Sequence, residues 1–197
     1  MSKSSTQLML RFKSGDEASF AALYEAHQRT VLNIVYRYLG SQAEAEDLAQ
    51  EVFLRVYRSR ERYSPQARFT TWLYRITANL CLNYQRDQKR HAQEALFLQT
   101  AGGDERERDE LADPGAPEPG REVADREIEA AVVRAIAELP ENQRMAVILN
   151  RYEELSYKEI AVAMDSTEKA VKSLLHRSRL ALKERLERYL GEEDLQP

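Results

Sequence analysis

Glycine and proline crowd into one short stretch of this chain. Four of the seven glycines and three of the six prolines fall within GGDERERDELADPGAPEPGRE, residues 102–122 of 197. Either side is almost free of the two residues that end helices and build tight turns, and is rich in Ala, Leu, Glu, Arg and Gln. Sandwiches and barrels need many turns, so the distribution leaves an all-α fold of two small helical units joined by a linker. The charges divide the same way. Residues 1–91 carry 14 basic and 9 acidic groups, 92–127 carry 4 and 11, and 128–197 carry 11 and 13. We therefore read a basic first unit (1–91), an acidic linker (92–127) and a mixed last unit (128–197). Within the linker, the stretch 102–122 has few large apolar residues and is expected to be mostly disordered.

No apolar run approaches the roughly 18 to 20 residues that span a bilayer. The opening MSKSSTQLMLRF has no apolar segment of the kind an export signal carries, so the expected compartment is the cytosol. Cys81 is the sole cysteine and fits a reducing compartment.

Helix punctuation places the rest. Asp16 can cap a helix running to about Leu39, with Gly40 at the position that favours a left-handed residue. Ser41 opens SQAE, a capping-box pattern with Glu44. In the helix beginning there, Leu48, Val52 and Val56 recur every four residues on a buried stripe. Asp47, Gln50, Glu51, Leu54 and Arg58 share another face, where the apolar Leu54 hints at a partner surface. After Tyr63-Ser64-Pro65, FTTWLYRITANLCLNYQRDQKR reads as one helix burying Phe69, Trp72, Leu73, Ile76 and Leu80. Arg75, Asn79, Asn83, Arg86 and Arg90 line a separate, acid-free stripe. Such a stripe suits nucleic acid: Arg neutralises phosphate, Asn offers a donor and an acceptor to a base edge, and a neighbouring aromatic such as Tyr74 can stack on an exposed base.

In the last unit, an amphipathic helix over 128–138 precedes Pro140, which suits the first turn of the next. SYKE, Ser156 to Glu159, is a second capping box opening a short helix. Asp165-Ser166-Thr167 breaks the chain, with Asp165 able to turn left-handed and Thr167 able to cap the next helix. Two helices around a three-residue turn match a helix-turn-helix. Val171, Leu175, Ser178 and Leu182 would face its core, exposing Glu168, Lys169, Lys172, Ser173, His176 and Arg177 near the start of the second helix. Residues 168–190 hold seven Lys and Arg against three Glu.

Together DLAQEVFLRVYR (47–58), FTTWLYRITANLCLNYQRDQKR (69–90), and LPENQRMAVILNRYEELSYKEIAVAM followed by AVKSLLHRSRLAL resemble the extracytoplasmic-function sigma factors, small promoter-specificity subunits of bacterial RNA polymerase. The resemblance implies sigma domain two over 1–91 and sigma domain four over 128–197. It implies that Asp47, Gln50, Glu51, Leu54 and Arg58 face core RNA polymerase. The segment from Ser64 to Arg68, with Tyr74, Asn79 and Asn83, would hold a flipped base of the melted −10 non-template strand, and Arg75, Arg86, Lys89 and Arg90 its phosphates. Lys169, Lys172, Ser173, His176 and Arg177 would read duplex −35 DNA. An anti-sigma factor is the further partner implied.

The chain departs from the family pattern at Asp165, where Gly is usual, at Ala170, where Thr is usual, and at Leu174, often basic. The last two remove phosphate contacts at the −35 element. The linker, with a coil reach of roughly 30 to 36 Å, would thread toward the RNA exit path, its net negative charge mimicking RNA.

Two other classes fit less well. An autonomous helix-turn-helix regulator acting as a homodimer explains residues 156–190 but leaves the 47–58 face and the Asn79-Asn83 stripe unassigned. An enzyme is disfavoured: His27, His91 and His176 lie far apart without HExxH spacing, and no phosphate-binding glycine loop or nucleophile elbow is present. No cofactor is expected.

Overall fold

The computed structural model describes residues 4–65, 68–100 and 122–191, and every regular element among them is helical. The first group comprises α1 (Ser5–Lys13), α2 (Glu17–Leu39), α3 (Gln42–Arg58), a 3-10 turn (Arg60–Arg62) and α4 (Phe69–Thr100). The second comprises α5 (Glu122–Ala137), α6 (Glu141–Arg151), α7 (Tyr157–Ala163) and α8 (Glu168–Gly191).

The expected signals shape most boundaries. Gly40 ends α2 with φ of 80°, a conformation that costs glycine nothing. Ser41 Oγ accepts the Glu44 N–H at 3.5 Å, but the Glu44 carboxylate accepts the Tyr84 hydroxyl at 2.9 Å. The expected capping box is thus half formed, its acid diverted to tie α3 to α4. Asp16 precedes α2, yet its carboxylate accepts from the Ser19 hydroxyl and pairs with Arg11 instead of capping the backbone.

Ahead of Asp16, α1 starts on a Ser4–Gln7 capping box and buries Met9 and Phe12 completely. Its Phe12 ring packs 4.9 Å from Phe20 and 5.2 Å from Tyr57. α4 continues past Arg90 to Thr100 and α5 begins at Glu122, so both ends of 92–127 are helical. Residues 91–100, HAQEALFLQT, hold no Gly or Pro and consist largely of strong helix formers, and Glu122 and Asp125 favour a helix N-terminus. The remainder, 101–121, lies outside the described residues.

Leu48, Val52 and Val56 are buried as their spacing predicts, among Ile34, Val35 and Tyr38 of α2 and Leu73 and Cys81 of α4. Burial pushes the Cys81 thiol up to about 12, leaving it an inert core group. The two groups are not separate bodies: α2 and α4 pack against α6, and α4 also packs against α7, so that one contiguous core runs through both. Arg144 of α6 anchors this junction. Its guanidinium donates to the Tyr38 carbonyl at 2.8 Å, to the Leu139 carbonyl at 3.3 Å and to the Ala137 carbonyl. Arg37 stacks 4.1 Å from the centre of the Tyr152 ring.

His27, half-buried, lies 2.8 Å from the Ser5 hydroxyl with its ring 5.4 Å from that of Phe69. Burial disfavours the imidazolium and lowers its pKa below the ordinary value of 6.5. The unfolded chain therefore takes up the proton first. The contribution of neutral His27 is complete above about pH 6.5 and declines as pH falls toward the lowered folded value. Thermal melts at pH 7.5 and 5.5 should show a drop in midpoint that is smaller in His27→Gln; equal drops would refute the assignment.

Candidate nucleic-acid interface

The helix-turn-helix is built as its caps predict. Ser156 Oγ accepts the Glu159 N–H at 3.3 Å, while the Glu159 carboxylate accepts the Ser156 N–H at 3.0 Å and its hydroxyl at 2.7 Å. The Ser156 hydroxyl, foremost, holds the Glu159 carboxyl below its usual range. Ser156→Ala should cost about 1 kcal/mol, read as a lower urea midpoint at unchanged slope. Asp165 turns left-handed at φ 49° and Thr167 Oγ1 accepts the Ala170 N–H at 3.1 Å, starting α8. Val171, Leu175 and Ser178 are buried, the Ser178 hydroxyl bonded to the Leu174 carbonyl, and Leu182 is half-buried. Lys169, Lys172, Ser173, His176 and Arg177 are consequently all exposed on one side of the second helix. Arg179 donates to the Tyr157 hydroxyl at 2.9 Å and locks α8 to α7.

On α4, Thr71, Leu73, Thr77, Ala78, Leu80 and Cys81 pack inward, which leaves Arg75, Asn79, Asn83, Arg86, Lys89 and Arg90 exposed. Trp72 belongs to an aromatic cluster, 5.1 Å from Tyr63 and 5.9 Å from Phe69. Ser64 and Arg68, flanking the start of this helix, are exposed. Tyr74 is placed differently from the stripe. It is only 7% exposed and its hydroxyl donates to Glu153 of the last unit at 3.1 Å. Burial raises the pKa of both partners, so the hydroxyl keeps its proton and remains the donor. Lys89 pairs with Glu141 of α6. Part of the expected −10 surface thus faces the second group, because the two groups pack together.

On α3, Asp47, Gln50, Leu54 and Arg58 are exposed and Glu51 is half-buried, bound by Arg55 at 3.1 Å. Leu54 is 48% exposed among polar neighbours. Sequence reasoning missed Arg144, which binds helix-end carbonyls in both groups, and Lys13, which donates to the Tyr63 carbonyl at 2.9 Å. Lys13 carried no local signal. For α1 itself, the S-x-x-Q pattern of Ser4 and Gln7 was the available one.

A basic helix-turn-helix beside a helix that exposes Arg75, Asn79, Asn83 and Arg86 along one edge defines a helical DNA-binding protein. Comparison with known proteins narrows this. Residues 23–91 match the model of Sigma-70 region 2, and residues 129–182 that of Sigma-70, region 4. The chain is 34% identical over 193 residues to the RNA polymerase sigma-H factor of Pseudomonas aeruginosa, covering 94% of this chain and 95% of that one. It is 34% identical to the ECF RNA polymerase sigma-E factor of Escherichia coli K12, covering 89% and 90%. With the ECF RNA polymerase sigma factor SigW of Bacillus subtilis it shares 33% identity over 88% and 92%.

Two solved structures share the fold at 20% identity. One is CnrH in complex with the cytosolic domain of CnrY (TM-score 0.64, covering 91% of this chain and 95% of that one). The other is the sigma factor RpoE of Bartonella quintana in complex with the anti-sigma factor NepR (TM-score 0.63, covering 85% and 96%). The chain belongs to the sigma-70 family of RNA polymerase sigma factors, in the extracytoplasmic-function (ECF) class. A self-contained homodimeric regulator is not favoured, since the matches extend well beyond the helix-turn-helix. Among the described residues no helix is long and apolar enough to cross a membrane.

Proposed function

We propose that this chain is a dissociable initiation subunit that works in the cytosol and leaves the chemistry to core RNA polymerase. Domain two, residues 1–91, docks through the α3 face of Asp47, Gln50, Glu51, Leu54 and Arg58. Domain four, residues 128–197, sets the exposed start of α8 into the −35 major groove, with Lys169, Lys172, Ser173, His176 and Arg177 in reach of bases and phosphates. Ser64, Arg68, Asn79 and Asn83 hold a melted −10 base, while Arg75, Arg86, Lys89 and Arg90 hold phosphates. Tyr74 joins them once Glu153 has been displaced. Capturing a base costs a few kcal/mol of unstacking, offset by stacking and hydrogen bonds to the extruded base. An anti-sigma protein is the third partner in this reading, as NepR is for the Bartonella sigma factor.

The observation that carries the reading is the exposure of Arg75, Asn79, Asn83 and Arg86 along one edge of a helix whose intervening residues fill the core. The test is transcription in vitro from fragmented genomic DNA by bacterial core polymerase, with and without the chain. Discrete starts that depend on the chain are expected; neither starts nor a complex with core polymerase would overturn the proposal.

A further inference from the structure

α1 lies ahead of the residues matched to Sigma-70 region 2, and two of its polar contacts fall on the two ends of one segment. At one end Lys13, half-buried in the last turn of α1, donates its ammonium to the Tyr63 carbonyl at 2.9 Å. At the other, Thr6 Oγ1 accepts the Phe69 N–H at 3.3 Å. Phe69 is the first residue of α4, and the first N–H groups of a helix have no partner within it. Arg68, which precedes it, offers no side-chain acceptor. The N-terminus of α4 is therefore capped by a residue 63 positions earlier in the chain.

Thr6 and Lys13 are seven residues apart, about 10 Å along a helix. Complete burial of Met9 and Phe12 between them makes α1 a rigid spacer. Buried Tyr63 packs its ring 5.1 Å from Trp72 and 6.2 Å from Phe69, adding an apolar tie between the same two ends.

We propose that Thr6 and Lys13 are positioning residues for −10 recognition. α1 is a strut that sets the separation of Tyr63 and Phe69, and with it the placement of Ser64, Arg68 and the first turns of α4. This deepens the proposed function and rests on its assignment of Ser64 and Arg68 to melted DNA. Neither positioning residue touches DNA; both act on how the reader is presented. Promoter opening should therefore respond to them, while recruitment to polymerase, which uses the α3 face, should not.

The test uses the full chain with core polymerase on a promoter recovered by the transcription assay. Thr6→Ala, Lys13→Met, their combination, and the conservative Thr6→Ser and Lys13→Arg are compared. The readouts are permanganate reactivity of the melted −10 strand, equilibrium affinity for core, and the melting midpoint of the free chain. Each deletion should lower the open-complex fraction about fivefold, the worth of one net hydrogen bond. Core affinity should stay within twofold, and the conservative variants should restore opening.

Unchanged opening in the double variant overturns the strut. So does a parallel fall of opening, core affinity and melting midpoint, which marks a merely structural helix. Arg68→Ala separates the two layers: if it impairs opening while the α1 variants do not, the strut alone is wrong. If Arg68→Ala also leaves opening unchanged, the assignment of this segment to −10 DNA fails, and the strut with it.

Discussion

Arg144→Met lowers the stability of the free chain by about 3 kcal/mol, since hydrogen bonds from a charged donor contribute about 1.5 to 3 kcal/mol each and are expensive to leave unmade. The arginine donates to Tyr38 and Ala137, whose carbonyls lie in the last turns of α2 and α5 and lack partners within those helices, and to Leu139 just past α5. Methionine keeps the stem and strands the carbonyls. Burial also lowers the Arg144 pKa, a sign that the site tolerates the charge only because acceptors surround it. As the same side chain joins the two halves of the core, the variant should unfold in two steps where the parent unfolds in one. Urea melts followed by Trp72 fluorescence, which reports the first group, and by circular dichroism would show this as separated midpoints. Coincident transitions with a loss under about 0.5 kcal/mol would contradict the assignment.

Leu54→Asp combined with Asp47→Ala should abolish chain-dependent transcription starts and weaken binding to core polymerase by about 30-fold or more, the mark of a hot-spot residue. Leu54 is a half-exposed apolar side chain ringed by charge, and burying its remaining surface in a partner is worth about 1 kcal/mol. An aspartate there substitutes a charge that must be desolvated. Both positions are exposed, so the melting midpoint should stay put. Core affinity measured by fluorescence anisotropy separates the outcomes. A variant that binds core as the parent does would move the docking surface off α3.

Much of the candidate site was legible because it is local. The four-residue recurrence of Leu48, Val52 and Val56 placed the α3 face, the SYKE box and the Asp165–Thr167 break placed α7 and α8, and the spacing of Arg75, Asn79, Asn83 and Arg86 marked the edge that stays exposed. The misreadings have physical causes. Glu44 fits a capping box by pattern, but Tyr84, forty residues on, takes its carboxylate. Asp16 fits an N-cap by pattern, but Ser19 and Arg11 take its carboxylate.

By itself, then, the sequence determined the all-α class, nearly every helix and the faces those helices present. Period, caps and glycine or proline breaks act over three or four residues, where the backbone hydrogen bonds of a helix close. Only the tertiary structure decided that Tyr74 meets Glu153, that Arg144 joins the two units, and that Thr6 caps α4. These bonds link residues 63 to 106 positions apart. Nothing in a local pattern can specify them: they arise from how buried faces satisfy one another once the helices have packed.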